Sequence, residues 1–235
     1  MFDRIKKAFS RGPQGREEKE SGVPSSQLAY GPVSEWAATQ GFAFSAQSSN
    51  QSFSVKGKVG GKSWRLELGP PTRNYIMGEE LRAGGDLGVN DDAAVLVISR
   101  PLKESLEKKA YSLYTDSLQT MADPSLPEEM RWLAMYNEVG WDSLPREFWD
   151  RYSVLGDKRE NAMAWLNADL ARQLMVWPEP APSAEVPFLI LLMRGKVYLR
   201  MEYRPADMPT LQHAAGIFTS ACEAALDGFS TDIAL

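Results

Sequence analysis

The chain has 235 residues, 43% of them apolar and 24% charged, with a formal net charge of −5. That is ordinary globular composition at a size for one large domain or two small ones, which excludes a fibrous or low-complexity chain. A lone cysteine, Cys222, excludes a disulfide framework and suits a reducing compartment, so the expected location is cytoplasmic.

Charge is unevenly spread. Residues 1–16 set Arg4, Lys6, Lys7, Arg11 and Arg16 against Asp3 alone, a local +4 that leaves about −9 for the remainder. An acidic body disfavours phosphate backbones, and no basic patch is visible after residue 20, so nucleic acid is not an expected partner. The first nine residues intersperse charges with Phe2, Ile5 and Phe9 and lack the long apolar core of a secretory signal. They read as a short basic amphipathic segment, suited to weak contact with a membrane surface or to a partner's groove. The longest apolar run, 186–193, is too short to span a bilayer and contains Pro187.

Residues 10–32 are rich in Ser, Gly, Pro, Glu and Lys and are expected to form a disordered linker. A globular α+β body follows over 33–230; one way to divide it is into α/β halves, 33–122 and 157–230, joined by a helical segment. A short helix over 33–40 would stop at Gly41, and Phe42 and Phe44 begin a strand. Next, 53–59 and 62–68 alternate around Gly60-Gly61, a two-residue loop suited to primed turns. That turn pairs Gly57 with Trp64 and Val55 with Leu66, leaving Lys56, Lys58, Arg65 and Glu67 on the opposite face. Residues 69–92 read as loop.

Residues 93–98 are apolar throughout, a strand buried on both faces. Ser99 is a candidate cap for a helix with Pro101 in its first turn and a stripe of Leu102, Leu106, Ala110, Leu113 and Leu118. Ser125 with Glu128 signs a capping box for a helix from Pro127 to 139, and a short helix is expected near 148–152. Asp157 with Glu160 repeats the device for a helix to about 175. After the proline-rich connector 177–182, a second hairpin turns at Arg194-Gly195. A last helix starts near Pro209, capped by Asp207, and ends before Gly228. The expected fold class is therefore α+β: antiparallel hairpins forming a curved sheet packed by helices, with a helical middle section. The layout resembles small chaperone-like α+β domains built on a curved antiparallel sheet.

Chemistry-bearing motifs are sparse. His213 and Cys222, the only residues of their kinds, sit nine positions apart on one helix, about 180° around it and roughly 13 Å along it, too far to share a proton. Cys222 is expected in the core and His213 in solvent. Asp86, Asn90, Asp91 and Asp92 cluster without the ligand spacing of a calcium loop, so no metal is expected. The glycines of 57–61 lack the Gly-Lys-Ser/Thr ending and following helix of a phosphate-binding loop, and no cofactor is implied. Glu79-Glu80 and Glu128-Glu129 read as exposed charge.

Two features point to partners. Trp132, Met135, Tyr136 and Val139 share one helix face while Met130, Leu133 and Ala134 take the other, and Trp141, Phe148, Trp149 and Tyr152 follow closely. Aromatics and Met are favoured in interface cores. The interaction candidates are therefore Trp132, Met135, Tyr136, Trp141 and Trp149, together with Phe2, Ile5 and Phe9. The expected function is a non-enzymatic binding or adaptor protein of the cytoplasm with a protein partner. One alternative is an enzyme whose acids and arginines (Asp86, Asp91, Asp92, Glu138, Asp142, Arg131, Arg146) converge only in the fold. Another is membrane-surface association through residues 1–9.

Overall fold

A computed structural model describes residues 30–47, 52–116 and 128–230. Phe2, Ile5 and Phe9, nearly all of the expected linker, and the Ser125 capping box lie outside the described residues.

The protein is α+β, with seven helices and one nine-stranded antiparallel sheet among the described residues. Helix α1 (Gly31–Thr39) stops before Gly41, whose φ of +70° favours glycine. Strands β1 (Ala43–Gln47), β2 (Ser52–Val59) and β3 (Lys62–Gly69) form a meander. The β2–β3 register pairs Gly57 with Trp64 and Val55 with Leu66, as the sequence predicts, and Gly60 and Gly61 both take the positive φ of a primed turn.

Residues 69–92 are not all loop. They contain β4 (Glu80–Asp86), paired with β3 on one side and with β9 (Lys196–Glu202) on the other. Its Gly84-Gly85 imitates a turn in sequence, but two flanking ladders hold it extended. Strand β5 (Ala94–Ser99) is buried along its whole length. Ser99 ends the strand directly before helix α2 (Arg100–Asp116), and its hydroxyl accepts the Phe188 amide at 3.3 Å.

The helical middle section is shorter than expected. Helix α3 (Glu128–Met135) ends before 139, because Asn137–Val139 leaves it as edge strand β6. After α4 (Arg146–Arg151), Tyr152–Gly156 forms β7 between β5 and β6. The single helix expected to 175 is two, α5 (Arg159–Trp165) and α6 (Ala168–Met175). Asn167 breaks it by accepting the Leu170 amide at 2.9 Å, a side-chain cap. Asp157 instead accepts the Ala94 amide at 3.0 Å, tying the helix entry to β5. Strand β8 (Phe188–Met193) pairs with β9, and α7 (Met208–Phe229) is capped by Asp207 and runs one residue past Gly228.

Sheet order is β1-β2-β3-β4-β9-β8-β5-β7-β6, so strands from 33–122 and 157–230 interleave in one sheet. One face carries the main core, where Trp64, Leu66, Leu199 and Val97 pack with Leu211, Phe218 and Trp165. On the other face α2 and α3 cover only the region of β8, β5 and β7, as a smaller cluster of Leu96, Ile98, Leu155, Leu189 and Leu191 with Leu102, Leu106 and Met130. Among the described residues no helix is long and apolar enough to cross a membrane.

Candidate binding cleft

The half-covered face of the sheet has a direction. Strand pairing sets Lys56, Arg65, Gly84, Tyr198, Leu191 and Leu96 side by side on one rung across β2, β3, β4, β9, β8 and β5. The next rung runs Glu67, Arg82, Arg200, Leu189, Ile98. Each rung passes from charge at one end of the sheet to aliphatic side chains at the other. Alternation in each strand puts these residues on the same side. Where the two halves meet, α3 overhangs the sheet and leaves a cleft of about 950 Å³.

Its apolar part is lined by Trp132 and Met135 of α3, by Tyr136 just after it, and by Leu189, Leu191, Met193 and Tyr198 from the floor. The Tyr198 ring lies over Gly84, where an added Cβ would stand 3.5 Å from it. Its charged part brings together Arg65, Arg82 and Arg200 of the sheet with Arg73 and Arg131. Arg194 and Lys196 close the turn end, and Glu67, Asp91, Asp92 and Glu128 add carboxylates. The basic patch that no stretch of sequence displays is thus assembled by strand pairing.

Two carboxylates fix this arrangement. Glu129, 1% exposed, accepts Arg73 Nε at 2.8 and 3.1 Å and the Tyr75 hydroxyl at 3.0 Å, with Arg200 Nε at 3.7 Å. Glu80, fully buried, accepts the Arg200 guanidinium, the Thr72 amide and the Thr72 hydroxyl, with Arg82 at 3.5 Å. Both pairs expected as exposed charge, Glu79-Glu80 and Glu128-Glu129, therefore contribute a buried anion. A buried carboxylate persists only when cations and donors replace water, and both are so supplied. Burial opposes the Arg73 charge, but the neighbouring Glu129 and Glu128 outweigh it and hold the guanidinium above its ordinary value. Burial and the Glu129 charge push the Tyr75 phenol well up. These contacts join the 72–77 segment, β4, β9 and α3.

Alternation in β9 places Arg200 and Glu202 on one face, and that was the available sequence signal. It could not be used without knowing that β4 lies alongside. Given that neighbour, Glu80 opposite Glu202 becomes a diagonal partner of Arg200.

Of the interaction candidates, Trp132, Met135 and Tyr136 line the cleft, Met135 being 66% exposed. Trp141 and Trp149 do not join them. Their rings meet edge-on at 5.2 Å, Trp141 is buried, and both pack into the main core. Among the acids and arginines of the enzyme alternative, Asp91, Asp92 and Arg131 reach the cleft. Glu138 instead pairs with Arg100 and Lys103, Asp86 with Lys196, and Arg146 with Asp150. Among the described residues no group of three or more His, Cys, Asp or Glu is placed to hold a metal ion.

His213 is half-buried rather than solvated. Its Nε2 lies 2.8 Å from the Gln173 carbonyl, and its ring packs 4.8 Å from that of Trp177. A carbonyl only accepts, so Nε2 carries the hydrogen. Cys222 is fully buried, and burial pushes its thiol up to about 12.

No family model matches the chain, and no curated protein matches it. Among solved structures it is similar to the crystal structure of the mycobacterial trehalose monomycolate transport factor A, at a TM-score of 0.40 and 9% identity. That likeness covers 81% of this chain and 92% of the other, and carries no argument about function.

Proposed function

We propose that this chain is a non-enzymatic binding protein of the cytoplasm and that the cleft beneath α3 is its binding site. The observation that carries the reading is the meeting, in one cleft of about 950 Å³, of an aromatic and aliphatic strip with guanidinium groups. That volume lies in the upper part of the range for small-molecule sites, which combine apolar walls with a few fixed polar groups. Binding is favoured over catalysis because Glu80 and Glu129 are already saturated by arginines and hydroxyls.

Mass spectrometry of what co-purifies with the full chain from its host tests the reading. A species retained by the wild type is expected to be lost from the doubly substituted Trp132→Ala, Tyr198→Ala protein, provided circular dichroism shows it folded. Trp149→Ala, away from the cleft, is expected to retain it. Identical contents in all three would contradict the reading. Asp91, Asp92 and Arg131 at the cleft are where an enzyme reading would start.

A further inference from the structure

We propose that the cleft takes a single-chain anionic amphiphile, its tail along Trp132, Met135 and Tyr198 and its acid group over Arg65 and Lys56. The inference rests on the binding reading of the cleft and names the ligand class. Its ground is the rung that runs Lys56, Arg65, Gly84, Tyr198, Leu191. With strands about 4.8 Å apart, Leu191 and Arg65 stand on the order of 14 Å from each other across the sheet. A ligand lying across the strands meets Trp132, Met135 and Met193, then the Tyr198 ring, then cations, in that order. Gly84 keeps the step between Tyr198 and Arg65 low.

Charge decides the sign of the head group. Among the described residues Lys56 and Lys58 make no ion pair, and Arg65, 47% exposed, pairs only with Glu67 of its own strand. The acids Asp91 and Asp92 immediately precede β5, at the aliphatic end of the rung. A cationic head would meet Lys56 and Lys58 uncompensated, whereas an acid group finds these two ammonium groups beside an Arg65 that it would share with Glu67. Leu189 and Leu191, 1% and 2% exposed, are closed over by the α2–α3 cluster, so the apolar surface open to a ligand is that of Trp132, Met135, Met193 and Tyr198. Strand addition by a peptide is also disfavoured, since β3, β4, β9 and β8 are all paired on both sides.

Calorimetric titration of the full chain tests this with laurate, decanoate, dodecanol and dodecyltrimethylammonium below their micellar concentrations, and with vesicles of phosphatidylglycerol. Laurate is expected to bind one to one, and decanoate about tenfold more weakly for two methylenes lost. Lys56→Gln with Arg65→Gln should weaken laurate about three- to tenfold while leaving dodecanol unchanged. Trp132→Ala should weaken both; Trp149→Ala should weaken neither. Equal affinity for laurate and dodecyltrimethylammonium would overturn the proposal, as would saturation by vesicles with none by laurate. If laurate fails while the species dependent on Trp132 and Tyr198 is still retained from the host, the ligand class falls and the binding reading stands. If both fail, both fall.

Discussion

Glu129 is the carboxylate that anchors α3 to the rest of the molecule. It is 1% exposed and answers both Arg73 and Arg200. Removing one partner of a buried pair costs about 3–5 kcal/mol, less where the cation reaches solvent, as Arg73 and Arg200 partly do. Glu129→Ala is therefore expected to lower stability by about 2–4 kcal/mol in urea unfolding, with an unchanged m-value. Its neighbour is different: Glu128 is half-exposed, and Glu128→Ala should cost under about 1 kcal/mol. In sequence the two glutamates are indistinguishable, because what separates them is Arg73, 56 positions away. His213 supplies a second test. Burial lowers its pKa against the opposing bond to Gln173, so below the ordinary value of 6.5 the unfolded chain binds the proton more readily. Its contribution is present above that value and is lost as pH falls. His213→Gln should flatten the decline in stability as pH falls below about 6.5, measured by urea unfolding at each pH.

At the scale of elements, the hairpins were legible because two independent signals agreed. Alternation and the Gly60-Gly61 turn demanded the same register, and the strands adopt it. Strands β4 and β7 were not legible. Gly84-Gly85 looks like a turn, and β7 follows α4 with no breaker between them. Both owe their extended form to ladders with distant strands, a tertiary effect that outweighs local propensity. The α5–α6 break was hidden for another reason: Leu166, Leu170 and Leu174 keep a helical period across it, while Asn167 takes the capping role. Glycine in β2 is tested directly. A Cβ on Gly57 would stand 2.4 Å from the Trp64 indole and 2.9 Å from Phe42, and Trp64 is held against Phe218 behind it. Gly57→Ala is expected to destabilise by about 1–3 kcal/mol and to perturb the near-ultraviolet signal of Trp64. Gly61→Ala meets open space at a φ of +76° and should cost about 1–2 kcal/mol without that perturbation.

On the scale of the whole molecule, one sheet carries two unequal faces. The first is closed by α1, α5, α6 and α7 over the main core; the second is half-closed by α2 and α3. The edge of that half-cover is where apolar and cationic side chains meet, and the buried Glu80 and Glu129 fix the arginines there. The aromatic helix face was legible in sequence, since an α-helix apolar on two sides must meet something on each. Which aromatics shared a site was not, because Trp141, in the loop after β6, and Trp149, on α4, pack into the other core. The arginines were invisible for the same reason as β4: their grouping depends on strand order. The most direct measurement of the cleft is a two-dimensional NMR titration of the full chain with laurate. Shift changes are expected at the Trp132 indole, the Leu191 methyls and the backbones of Gly84 and Tyr198, with Trp141 and Trp149 unmoved. Changes centred on Trp141 and Trp149, or spread evenly over the surface, would contradict a binding site beneath α3.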